Sequence, residues 1–387
     1  MDVEESQLIY RNEKKKGMIE MNLKLFQELS DAFGPSGYEE DVLRRVEPFL
    51  EGLRYRNDAM NNLYLDLPAQ EPDDRPTLLL DAHLDECGMM VQSIEDDGTL
   101  KIILLGGFHP TSLPAHSVMI RNRKGEYIRG IIASEPVHFM SEEARKNTKL
   151  QIETMKLDVG AVSREDVIES FGIHIGDPIV PDVRFDYDEK HGLCFGKAFD
   201  NRVGCAVIIE IMQQLRAQAS TLPIRLVGAL AAQEEVGERG ATVTAQQVHP
   251  DLAIVFEGSP SDDFYFGVQQ AQCRMGEGTQ IRIMDRSYIS NPAFIEVAEH
   301  IAEKYHIRYQ EAVRRGGGTN AGVISLTHQA VPVLVLGVPS RYVHSHYNFC
   351  KTEDIDATID LVTHLVQDLS SADLRHILRR DILSEDD

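Results

Sequence analysis

The residues of this chain best suited to chemistry are acids and imidazoles that follow apolar runs. "TLLLDA" leads into His83 and Asp85, "IRLVGALAA" into Gln233, Glu234 and Glu235, and "DLAIVF" into Glu257. "VPVLVLGVP" is followed by Arg341, His344 and His346, and Asp200 in "GKAFDNRVG" precedes a helical stretch. Continuous apolar runs of this kind suit strands buried on both faces. Open α/β sheets bind ligands in the crevice beyond the carboxyl ends of such strands. Taken singly, each residue has an ordinary reading: Asp200 as a helix N-cap, Glu234 and Glu235 as charges on a solvated loop. Their joint placement at strand ends is what singles them out. Carboxylates gathered in one crevice repel each other and are costly to bury unless a cation neutralises them. A divalent metal is the simplest solution, and two ions about 3.5–4 Å apart can share a bridging carboxylate. Asp85 follows His83 closely enough to orient its ring. Cys87 is close in sequence and reads as packing rather than as a ligand.

These residues need a scaffold, and the pattern supplies one. "MNLKLFQELSDAFGPSGYEEDVLRRVEPFL" reads as helix, turn, helix, with Leu23, Leu25, Phe26 and Leu29 on one apolar stripe. From "GKAFDNRVGCAVIIEIMQQL" onward, buried helices and strands alternate, with Asn291 as N-cap and Pro292 in the first turn of "NPAFIEVAEHIAEKYH". Between these halves lie short alternating segments ("TLKIILL", "SVMIRN", "YIRGIIAS", "DPIVPDVRF") and one helical piece at "SREDVIESF". The expected organisation is a loose arm over 1–20, a mixed-sheet α/β/α domain over 21–90 plus 190–387, and an inserted, β-barrel-like domain over 91–189.

Bulk properties exclude several classes. With 62 acidic against 39 basic residues, the net charge of -23 repels phosphate backbones, so nucleic acid is not an expected partner. No apolar run reaches the roughly 20 residues that span a bilayer, and no secretory signal is visible. The 5 scattered cysteines read as reduced thiols of a cytoplasmic protein.

The motifs "AHLDECGMMV", "GKAFDNRVG", "QEEVGERGA", "GGGTNAG" and "VPSRYVHS" resemble those of the glutamyl aminopeptidase/tetrahedral aminopeptidase family, cytoplasmic two-metal exopeptidases of which some were once labelled endoglucanases. The resemblance runs from about Met21 to the last helix. It implies a metal-dependent aminopeptidase with two divalent ions per subunit (Zn, Co or Mn) and peptide substrates. By this resemblance His83 and Glu235 hold one ion, Glu257 and His344 the other, Asp200 bridges them, and Glu234 is the general base with Asp85 in support. Glu257 stands where many relatives have Asp, and Asn320 where "GGGTD" is expected. His346 falls where the family requires no histidine and reads as a supporting or surface residue. The insertion would be a dimerisation domain, with dimers assembling into a tetrahedral dodecamer.

Other readings remain open on the residues alone. Another two-metal amidohydrolase, a deacylase or carboxypeptidase, would use the same ligands. A glycoside hydrolase would pair Glu234 with a second carboxylate but has no role for the histidines. A non-catalytic binding protein would need none of them. Lys197, Arg274 and Arg341 are cations that could select an acidic substrate residue, or serve as surface and structural charges.

Overall fold

The apolar runs that precede the acids and imidazoles become parallel neighbours. In the computed structural model, which describes residues 21–67, 73–134, 138–142, 150–328 and 330–378, the strands Arg225–Ala231, Thr77–His83, Leu252–Pro260 and Val333–Arg341 lie side by side in that order. They form the centre of an 11-stranded mixed sheet. The expected arm over 1–20 lies outside the described residues.

Alternation along a strand sends successive side chains to opposite faces, and both faces are covered. Leu78 and Leu80 join the core beneath the helices Leu23–Asp31, Phe199–Leu215, Pro292–Lys304 and Thr352–Asp368. Leu79 packs on the other side with Ala241 and Ala321, from the helices Arg239–Val248 and Ala321–Ser325. All three leucines are fully buried, each contributing about 1.5–3 kcal/mol. The helix Phe199–Leu215 lies against the strands of His83 and Glu257, buried on nearly every side. Asn291 caps the helix Pro292–Lys304, its side chain accepting from the Phe294 N–H at 3.0 Å.

The insertion is a closed barrel of antiparallel strands lying between Gly88 and Pro181. Met89, Val91, Leu100, Ile102, Val118, Ile120 and Ile179 fill it. The chain re-enters the large sheet at Asp186–Asp188, which pairs with Leu193–Gly196. Only "LDEC" separates the His83 strand from the first barrel strand, and Asp85, Glu86 and Cys87 in that link are all buried. Glu86 is held there by Lys197 Nζ at 2.6 Å and Arg202 Nη2 at 3.5 Å. This dry ion cluster fixes the hinge between sheet and barrel beside the strand ends.

A candidate metal centre at the strand ends

Register brings the donors together. Asp81 pairs with Val255, so two residues further along both strands His83 stands beside Glu257. Ala231 pairs with His83, which places the Glu234–Glu235 turn just past the imidazole. Asp200 interrupts the first turn of its helix with non-helical dihedrals, joined to Asn201 by a cis peptide bond. It makes no cap bond and turns its carboxylate into the crevice. Its Oδ1 lies 3.2 Å from His83 Nε2, and its Oδ2 lies 3.2 Å from His344 Nε2.

Two donor clusters result. His83, Asp200 and Glu257 offer atoms within 4.8 Å of one another, and so do Cys87, Glu235 and His344. The clusters group these side chains otherwise than expected: Glu257 lies with His83, while Glu235 lies with His344 at 3.8 Å. Glu234 belongs to neither cluster among the described residues; its Oε2 stands 3.9 Å from His83 Nε2.

Surrounding groups aim these side chains. His83 Nδ1–H donates to the Asp85 carbonyl at 3.0 Å, and His344 Nδ1–H donates to the Gly107 carbonyl at 3.2 Å. A carbonyl only accepts, so in each neutral ring the lone pair is left on Nε2, facing Asp200. The Asp85 carboxylate accepts from Ser36 Oγ at 2.6 Å and from the N–H groups of Glu234 and Glu235 at 2.9 and 3.2 Å. Asp85 thus holds the whole acidic turn. Asn201 Nδ2 donates to Glu257 Oε2 at 3.3 Å. Ala198, Gln233, Tyr342 and His344 all take left-handed φ despite carrying a Cβ, at a cost of roughly 1–2 kcal/mol each. Such strain concentrates where packing forces a functional geometry.

The electrostatics show surplus negative charge. Burial, then neighbouring acids, pushes Glu234 up to about 8 despite His83. Burial, then Asp200, raises Glu257 well above its usual range, and burial also raises Glu235. Burial pulls His344 down, but the bond to Asp200 and the charges of Glu235 and Asp200 carry it up to about 10. Glu235 Oε1 and Glu257 Oε1 are buried with no hydrogen-bond partner, a costly state unless something else satisfies them. A set of imidazoles and carboxylates with orphaned oxygens suits divalent Zn, Co or Mn. The donors flank a cleft of about 700 Å³, enough for a peptide terminus.

Other sequence candidates lie elsewhere. Lys197 is committed to Glu86, Arg341 to Asp263 at 2.7 Å, and Arg274 lies 3.7 Å from Glu277. Arg286, overlooked in the sequence, lines the cleft and has no ion-pair partner among the described residues; nothing in its local motif marked it. His346 is 1% exposed, so it is not a surface residue. It stacks on His116 of the barrel at 4.1 Å. Cys87 packs in the barrel core, and its sulfur also lies within 4.8 Å of donor atoms of Glu235 and His344.

Asn320 has a local explanation. It is buried and its Nδ2 donates to Asp81 Oδ1 at 2.7 Å. A second carboxyl there would face the first in a dry site. Asn320→Asp is expected to lower stability at pH 8 by on the order of 3 kcal/mol, and by less at pH 5, where the two acids can share a proton. Asp81→Asn added to it should recover most of the loss, since the amide and the acid merely exchange places; thermal melts of the single and double variants check this.

Comparison with known proteins agrees with this geometry. The family model for the M42 glutamyl aminopeptidases matches residues 62–361. The glutamyl aminopeptidase of Lactococcus lactis subsp. cremoris is 30% identical over 84% of this chain and 90% of its own length. The crystal structure of a TET aminopeptidase from a marine-sediment Thaumarchaeota archaeon is 34% identical, covers 92% of this chain and 99% of its own, and superposes with a TM-score of 0.85. The TET1 peptidase of Pyrococcus horikoshii, which can assemble into a tetrahedron or a large octahedral shell, is 26% identical with a TM-score of 0.80, covering 90% of this chain and 99% of its own. With its strand-end acids and imidazoles set in a matching fold, the chain belongs to the M42 glutamyl aminopeptidase family, whose members are metal-dependent aminopeptidases.

Proposed function

We propose that this chain releases residues singly from peptide amino-termini, using two divalent ions and Glu234 as general base. His83, Asp200 and Glu257 would hold one ion, and His344, Asp200 and Glu235 the other. The observation that carries this reading is Asp200, whose two oxygens face the two imidazoles at equal 3.2 Å distances. When bound, the ions polarise the scissile carbonyl, acidify the attacking water and anchor the free N-terminal amine. Glu234 takes the proton from that water and delivers it to the leaving amine. Asp85 keeps Glu234 over the cleft through its backbone N–H and keeps His83 in the right tautomer. The orphaned oxygens of Glu235 and Glu257 would gain a partner in a bound cation.

We also carry homo-oligomeric assembly into a tetrahedral dodecamer to this chain, with the barrel as the dimer surface. Ile103, Tyr127 and Ile131 stand half-exposed on barrel strands, apolar groups that a partner would cover. Among the described residues no helix is long and apolar enough to cross a membrane. All five cysteines are free, which suits the reducing cytoplasm.

The test is chelation followed by restoration. Stripping ions should reduce peptide hydrolysis to background, and Zn, Co or Mn should restore it at two ions per chain. An N-acetylated peptide should resist the restored enzyme, because its blocked amine cannot be anchored. Full activity in excess chelator would favour a metal-free acid/base pair instead, and rapid cleavage of the acetylated peptide would favour a deacylase or carboxypeptidase.

A further inference from the structure

A void of about 10 Å³ lies on the His344 side of the centre, walled in part by Cys87, Asp200, Glu235 and His344. It has room for about a single water or ion. The Cys87 sulfur, a Glu235 oxygen and a His344 ring nitrogen lie within 4.8 Å of one another. Glu235 is 4% exposed in its side chain, and its Oε1, 3.8 Å from His344 Nε2, accepts no hydrogen bond. That orphaned oxygen borders the same gap as the Cys87 thiol, which also interacts with the Glu235 carboxylate. Gly106 keeps the space clear: a Cβ there would stand 2.8 Å from Cys87 Sγ and 2.9 Å from Glu235 Oε2.

We propose that Cys87 is a fourth protein ligand of the ion held by His344, Asp200 and Glu235, and that it makes this half of the centre selective for a soft ion such as zinc. The inference rests on the two-ion reading above. An imidazole, two carboxylates and a thiolate form a four-donor set of the kind that zinc takes tetrahedrally. Thiolate favours zinc over manganese, whereas the half formed by His83, Asp200 and Glu257 offers only nitrogen and oxygen. The two halves are therefore chemically unequal. On binding, the S–H proton leaves to solvent as the sulfur–ion bond forms. Cys205, the nearest control, already donates to the His83 carbonyl at 3.1 Å.

The test loads metal-free full-length chain with cobalt(II) and records its absorption. Wild type should bind two cobalt ions and show a near-ultraviolet sulfur-to-cobalt charge-transfer band. Cys87→Ser should bind two and lose that band. With zinc, the same variant should surrender one of its two ions to a competing chelator at least about tenfold more readily than wild type, with manganese binding unchanged. Cys87→Val, which keeps the packing volume, should show the same loss of zinc. Two bound cobalt ions with no band in wild type, or a band that survives in Cys87→Ser, would overturn the role of Cys87 while leaving the two-ion reading intact. Failure of wild type to bind a second ion at all would overturn both.

Discussion

Asp200→Asn should weaken both halves of the centre at once. Each carboxylate oxygen of Asp200 faces a different imidazole at 3.2 Å, and an amide presents only one acceptor oxygen, with an N–H group toward the other ring. The variant should therefore bind at most one divalent ion per chain, measured by elemental analysis after dialysis. Its kcat/KM on a peptide substrate should fall by about three orders of magnitude or more, about 4 kcal/mol of transition-state stabilisation. Among the described residues no other single side chain faces both imidazoles so closely, so single-sided variants should differ in kind. Glu257→Ala should weaken the ion beside His83, and Glu235→Ala the ion beside His344. The opposite assignment would restore the pairing expected from sequence. Two tightly held ions in Asp200→Asn would remove the bridge from the scheme altogether.

That pairing shows where sequence reasoning stops. His83, Glu257 and the Glu234–Glu235 turn were legible because buried parallel strands leave a run of apolar residues that ends at the crevice, and polar residues there have few structural reasons to exist. The barrel insertion was legible from a change in texture, from continuous runs to short alternating segments. What sequence lacks is the distance across the crevice. Which acid stands beside which histidine depends on strand register, Asp81 against Val255, and on how far the Glu234 turn carries Glu235 towards His344. Cys87 reads from sequence as packing, and it does pack with Met89 in the barrel core. Its sulfur also lies within 4.8 Å of donor atoms of Glu235 and His344, a proximity across the fold that sequence does not carry. Lys197 and Arg341 are structural charges, one of the two readings open from sequence, but their partners, Glu86 and Asp263, are too distant in sequence to be named from it. His346 reads from sequence as either a supporting or a surface residue, because the ring that covers it, His116, belongs to the barrel.

Glu234→Gln should separate chemistry from metal binding. The side chain is 13% exposed at the mouth of the cleft, whereas Glu235 is 4% exposed among the ligand atoms. Its backbone is fixed on both sides: its N–H donates to Asp85 Oδ1 at 2.9 Å, and its carbonyl accepts from Gly237 and Glu238 at 2.8 Å each. Glutamine preserves that frame and the volume while removing the basic oxygen. The variant should therefore keep two ions and a nearly unchanged KM, with kcat lower by about 10²–10⁴-fold, the range a positioned general base supplies. Glu235→Gln provides the contrast, because its loss should appear first as weaker ion binding on the His344 side. A fall in kcat accompanied by ion loss in Glu234→Gln would make Glu234 a ligand. Normal turnover with both ions in place would require the proton to leave by another route, and Glu238, which lines the same cleft, would be the next group to replace.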